Sequence, residues 1–277
     1  MTGLLDGRTV LVTGVLRPSS IATAVAREAG AQGARLVLSS PPRALRVTER
    51  VAAGAGLGEV PVLALDLTDA EALSGLEAQL RGLGVDTLDG VVHSVAQAAP
   101  GLLGDHLSPS DSAAPGAGEG QAGASAAGLA SWQSDLERAL TVSVTSLPAL
   151  VGALSPLLVP GSAVLALTFE SGRVVPGYGW MGPLKAALEA SVRGLAVEQG
   201  PRGVRVNALS AGPLRTTAGG AIPGFDQLAQ AWESRAPLGW DAGDPSPVAR
   251  TAVALLSSWL PATTGEVLHA DGGASLV

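Results

Sequence analysis

Short apolar runs of strand character alternate with longer segments of helical spacing along this chain. Arg8–Gly14 (RTVLVTG) is a β-branched apolar run closed by glycine, and Ser20–Ala34 follows with helical periodicity and Ser19 or Ser20 as its cap. Arg35–Ser40, Pro61–Asp66, Gly90–Ser94, Ser162–Phe169, Gly203–Ser210 and Glu266–Gly273 supply further strands, and a helix capped near Thr68 or Asp69 follows the third. Strands that read as continuous apolar runs between helices belong to a parallel sheet covered on both faces. The pattern predicts an α/β fold, a single doubly wound Rossmann-type domain with a seven-stranded parallel sheet over residues 1–277.

Two stretches depart from the alternation. Residues 110–131 are almost wholly Gly, Ala, Ser and Pro and bury too little to offset their ordering entropy, which predicts a mobile surface insertion ahead of a helix starting near Trp132. Thr141–Phe169 carries no charge, but Pro148, Pro156, Pro160 and Gly161 divide it into helix, turn and strand, a buried pair rather than a membrane span. The first residues have neither a basic n-region nor a small-residue cleavage site, so a cytoplasmic protein without a signal peptide is expected.

Composition narrows the chemistry. A net charge of −7 with no basic run argues against a nucleic-acid partner. Without cysteine there is no thiolate or disulfide, and His93, His106 and His269 show no ligand spacing, so no metal site is predicted. Arginine has displaced lysine almost throughout. The single lysine, Lys185, and the single tyrosine, Tyr178, nevertheless stand together in PGYGWMGPLK.

With Pro183–Glu198 helical, Tyr178 and Lys185 lie on roughly one face, or on the helix and its leading turn. A tyrosine hydroxyl donates to a carbonyl oxygen as negative charge develops there. A nearby ammonium favours the phenolate, lowering the phenol from its ordinary pKa of about 10, and can hold the ribose hydroxyls of a nicotinamide nucleotide. Upstream, Thr13–Ala22 joins the first strand to the first helix, the place where backbone N–H groups and a helix N-terminus receive a pyrophosphate. Gly14 is present there, with Ser19 and Ser20 where later glycines of G-x-G-x-x-G would stand. Asp66 either receives an adenine amino group or caps a helix. No acidic residue follows the second strand, and Arg43 either faces a 2′-phosphate or stacks on adenine, which leaves NADH and NADPH both open.

MTGLLDGRTVLVTG, PSSIATAVA, LDGVVHS, PGYGWMGPLKAALEASVR, GVRVNALSAGPLRT, RAPLGW and WLPATTGEVLHADGG carry a resemblance that spans the chain outside the Gly/Ala insertion. The chain resembles the NAD(P)H-dependent enoyl-acyl-carrier-protein reductases of the short-chain dehydrogenase/reductase superfamily, above all the mycobacterial type that isoniazid inhibits. Tyr-x6-Lys is the spacing of these enzymes; the Tyr-x3-Lys of the superfamily's ketoreductases would need a lysine where Gly182 stands. The resemblance implies reduction of trans-2-enoyl thioesters of acyl carrier protein or coenzyme A, with NADH or alternatively NADPH, in fatty acid or related acyl-chain biosynthesis. Tyr178 would hydrogen-bond the thioester oxygen and Lys185 the nicotinamide ribose. Phe169, which on pattern alone also reads as a core residue ending a strand, would flank the substrate. Gly14, Ser20, Ile21, Arg43, Asp66, Leu67, Ser94, Val95, Ala96, Ala211, Gly212, Pro213, Leu214 and Thr216 would line the cofactor, and Gln97, Met181 and Ile222 the substrate. A homotetramer is implied too, its subunits packing on the helix after Lys185, which is apolar on more than one side.

Three differences modify the expectation. Val95-Ala96-Gln97 stands where the family has an apolar residue, a glycine and an aromatic, which brings a methyl group towards the nucleotide and polarity to the pocket entrance. The insertion at 110–131 begins near that entrance. The substrate-lid segment, residues 216–240, is shorter than in the mycobacterial enzyme and predicts short or medium acyl chains. Two other readings compete: a ketone or activated-alkene reductase of the same superfamily, and a non-catalytic dinucleotide sensor, which would have no use for the tyrosine hydroxyl.

Overall fold

The computed structural model describes residues 3–109 and 125–277. Its strands are β1 (Thr9–Thr13), β2 (Arg35–Ser40), β3 (Val62–Ala64), β4 (Leu88–His93), β5 (Leu158–Thr168), β6 (Arg205–Ala211) and β7 (Val267–Ala270). They form one seven-stranded sheet in the order β3-β2-β1-β4-β5-β6-β7, and all neighbours are parallel. The chain winds outward from β1 to β3, then crosses back to β4 and continues to β7. Ligands of such sheets bind where the winding reverses, here beyond the carboxyl ends of β1 and β4.

The helices are α1 (Ile21–Ala31), α2 (Leu45–Gly54), α3 (Ala70–Ser74), α4 (Leu76–Gly82), α5 (Ala126–Leu140), α6 (Ser146–Leu154), α7 (Met181–Gln199), α8 (Phe225–Arg235) and α9 (Ser246–Leu256). They cover both faces. Leu80, Leu150, Leu154, Leu188 and Val192, from α4, α6 and α7, pack one core, while Val25, Ala29, Val253 and Leu256, from α1 and α9, pack the other. β1 feeds both, because side chains alternate across a strand: Leu11 enters the first core, Val10 and Val12 the second.

Local chemistry sets the helix starts. Ser20 caps α1, its Oγ accepting from the Thr23 N–H at 3.2 Å. Asp69 caps α3, accepting from the Glu71 and Ala72 N–H groups, and Gly75 separates α3 from α4. One boundary needs correction. The helix expected near Trp132 begins at Ala126, with the Ser125 side chain accepting from Gly128 N–H. Alanine, which counted there towards a loop, is also the strongest helix former. The rest of the expected insertion, 110–124, lies outside the described residues. By length and composition the helical run Ala126–Leu157 could cross a membrane. Its Leu147, Leu150 and Leu154 are buried against the sheet, and the uncharged stretch continues as β5, the helix–turn–strand order expected.

Candidate active site

A cavity of about 850 Å³ opens at the carboxyl ends of the central strands. It gathers residues that the sequence scatters. Gly14, Ser20 and Ile21 come from the end of β1 and the start of α1; Arg43, Asp66 and Leu67 follow β2 and β3; Ser94, Val95, Ala96 and Gln97 follow β4. Phe169 directly follows β5, Tyr178, Met181 and Lys185 come with α7, and Ala211, Gly212, Pro213, Leu214, Thr216 and Ile222 follow along β6 and beyond it. Every residue expected to touch cofactor or substrate lines this one cavity.

At its β1 end the backbone is shaped for close approach. Gly14 has φ +86°, and a Cβ on it would lie 2.0 Å from the Ser94 carbonyl oxygen. Thr13 ties the two strand ends together, its Oγ1 donating to Val92 O at 3.1 Å and accepting from the Ser94 N–H at 3.0 Å. The first turn of α1 opens beside them. Asp66 does not cap a helix, since Asp69 does. Its Oδ1 accepts from the Thr68 N–H at 3.0 Å and Oγ1 at 2.7 Å. Those two bonds hold the carboxyl below its ordinary range, with Arg43 and Arg138 adding to the effect against the opposing cost of burial. Arg138, reaching the cavity from α5, carries no signal in the sequence that sets it apart from other helix arginines.

Tyr178 sits in a tight turn ahead of α7. The Gly177 N–H donates to Asp105 Oδ1 at 2.6 Å, and Gly177 O and Leu102 O accept from the Gly104 and Trp180 N–H groups at 3.0 and 2.8 Å. Phe169 meets the Tyr178 ring edge-on, centroids 5.0 Å apart at 72°, and rests on Trp232 behind it. The Tyr178 hydroxyl hydrogen-bonds to none of the described residues. Burial, assisted by the Glu189 carboxylate, pushes the phenol above its ordinary pKa. This overturns the expectation that Lys185 draws it towards phenolate: the group is an O–H donor. Lys185, in the first turns of α7, is buried and donates to Leu167 O at 2.8 Å. Burial brings its pKa down to about 8, against the pull of Glu189.

Residues 14–114 and 117–275 match a family model described as enoyl-(acyl carrier protein) reductase. The chain belongs to that family. It is 38% identical to the enoyl-acyl-carrier-protein reductase (NADH) of Mycobacterium avium, over 99% of this chain and 98% of that one. The enzyme of the same name from Mycolicibacterium smegmatis is also 38% identical, with the same coverage. That of Escherichia coli K12 is 34% identical over 99% of this chain and 96% of its own.

Around the pair, this family member has parts that sequence reading missed. Residues Thr141–Thr145 form a π-turn between α5 and α6, an irregularity frequent at functional sites. Ser143 uses it to brace Gln97, accepting from its N–H at 3.0 Å and donating to its carbonyl at 3.2 Å. His93 is fully buried behind the site. The Ser146 hydroxyl donates to Val142 O at 2.7 Å, so the His93 Nε2–H donates to Ser146 Oγ, 2.8 Å away, and Nδ1 has no partner among the described residues. Burial, then the Lys185 charge, lowers the His93 pKa to about 3 from 6.5. The unfolded chain therefore binds the extra proton first as pH falls. The stability that neutral His93 contributes is complete above pH 6.5 and is lost as pH falls towards 3. His93→Gln should remove that slope: in melts at pH 7 and 4.5, the stability gap between wild type and variant should narrow by about 2 kcal/mol.

Proposed function

We propose that this protein reduces trans-2-enoyl thioesters to saturated acyl thioesters with NADH, in fatty acid or related acyl-chain synthesis. One observation carries the reading: a protonated tyrosine hydroxyl with no partner among the described residues faces the same cavity as a buried lysine and a glycine-lined strand end. The cavity residues suit a dinucleotide. Gly14 lets the ends of β1 and β4 close together beside the cavity, since any Cβ would strike Ser94 O, the start of α1 offers N–H groups, and Asp66 Oδ2 remains for an adenine amino group. The NADH and acyl-carrier-protein assignments follow the names of the relatives; coenzyme A thioesters are the alternative carrier.

When bound, a reduced nicotinamide supplies the hydride that adds to the β-carbon of the enoyl thioester. Tyr178 donates its O–H to the thioester oxygen as negative charge builds there. Lys185, one of whose three donors is used by Leu167 O, offers the other two to the ribose hydroxyls. Phe169 walls the acyl side beside Tyr178. Ile222 and Phe225, from the short segment 216–240, also line the cavity, and that segment suits short or medium chains. In a chain-length series, kcat/KM should favour these over very long chains by about tenfold or more; the opposite order would refute that assignment. The series, run with NADH and NADPH in parallel, also tests the cofactor.

A cytoplasmic location is part of this proposal, supported by the acyl-carrier-protein chemistry named for its relatives. A homotetramer packing on α7 is proposed from the breadth of that helix's apolar surface, which includes Val197, 80% exposed. Light scattering should give four chains; a monomer would refute it.

A further inference from the structure

Glu189 lies one helical turn after Lys185 on α7, so the two share a face. Both are buried, 8% and 6% exposed. The expected outcome of that pairing is a direct ion pair, and the molecule does not make one. Glu189 instead accepts from Thr168 Oγ1 at 2.7 Å and from Ser171 Oγ at 2.5 Å, while the ammonium donates to Leu167 O. Two hydroxyls thus solvate a buried carboxylate in place of water, as a charge inside a protein requires.

We propose that Glu189 is a positioning residue that holds Lys185 in its charged form through space, without occupying the donors that Lys185 needs for the cofactor ribose. The inference rests on the proposed role of Lys185 in that reading. A direct salt bridge would satisfy the charge but consume N–H groups and turn the ammonium along the helix. A carboxylate bound to hydroxyls keeps its field and leaves the ammonium where Leu167 O anchors it. The groups facing Lys185 make this field decisive. From β4 comes His93, kept neutral by its own burial; from the turn before α7 comes Tyr178, a protonated phenol; from α7 itself comes Glu189, the carboxylate whose charge opposes the loss of the proton. Buried lysines without such a partner fall to a pKa of about 5–6, which is uncharged at neutral pH. The same carboxylate has a second effect on geometry. Thr168 and Ser171 flank Phe169, so Glu189 pins both sides of the residue whose ring meets Tyr178.

Because Lys185 is the only lysine, its protonation can be read directly. Protein labelled with ε-¹³C-lysine gives one side-chain resonance, whose pH titration reports the Lys185 pKa with no substrate present. The wild type should titrate near 8. Glu189→Gln keeps the shape and the hydroxyl partners but removes the charge, and its midpoint should fall by about one unit or more. Glu189→Asp, which keeps the charge, should restore most of the difference. NADH titrations followed by fluorescence should then lose affinity on the alkaline side at correspondingly lower pH in Glu189→Gln. An unchanged midpoint in Glu189→Gln overturns the proposal, as does a loss of NADH affinity that is equal at every pH, the mark of a merely structural role. If Glu189→Gln does not fold, the wild-type titration decides: a midpoint near 8 supports the proposal and one below about 6 overturns it. Absence of NADH binding in the wild type would instead defeat the reductase reading and leave the titration result standing.

Discussion

Tyr178→Phe is expected to lower kcat for a trans-2-enoyl thioester by about 10²–10³-fold while leaving nucleotide binding within about twofold. The substitution removes one oxygen from a ring that otherwise stays where Phe169 and the turn at Gly177 hold it. That oxygen bonds to none of the described residues, so its loss strands no buried partner and should not change stability. Burial holds the hydroxyl protonated, so it stands ready as an O–H donor to a developing enolate. Stopped-flow and steady-state rates, with NADH fluorescence for binding, separate the effects. A fall in kcat of less than about threefold would place the oxygen's donor elsewhere in the cavity.

Gly14→Ala should cost at least about 2 kcal/mol of stability and weaken nucleotide binding by tenfold or more. Two penalties combine. A left-handed backbone at φ +86° disfavours any Cβ, and this Cβ would stand 2.0 Å from Ser94 O, a backbone atom that cannot swing aside. To fit it, the ends of β1 and β4 must part, breaking the Thr13 bonds to Val92 and Ser94. Gly56 is the control: it too is left-handed (φ +73°), but nothing lies within 4 Å of its added Cβ. Gly56→Ala should show only the conformational cost, about 1 kcal/mol, and leave nucleotide binding unchanged. Equal losses in the two variants would contradict the cradle at Gly14.

The parallel sheet was legible because its strands are buried on both faces and so read as unbroken apolar runs. Lys185 and Tyr178 stood out because the rest of the chain contains neither residue type. Serine and aspartate caps located the first and third helices. The start of α5 was not legible, because an Ala/Gly/Ser stretch offers the same letters to a loop and to a capped helix, and only Ser125 marks the change. The direction of the Tyr178 pKa was misread for a related reason. Spacing brings a lysine near the phenol, but burial and Glu189 decide the outcome, and both depend on what folds around the turn. Glu189 itself looks like any helix glutamate in sequence. Its importance appears only when β5 brings Thr168 and Ser171 against it. His93 and the π-turn at Thr141–Thr145 belong to the same class, ordinary residues given significance by long-range packing.

The most direct test follows the atoms of one turnover. A trans-2-enoyl thioester of medium chain length is mixed with NADH deuterated at the transferred position, and the product is analysed by mass spectrometry and NMR. The account predicts a saturated thioester with deuterium at the β-carbon and a solvent proton at the α-carbon, formed by the wild type and nearly absent with Tyr178→Phe. An unreacted enoyl thioester in the presence of bound NADH, or deuterium delivered to a carbonyl carbon, would contradict it.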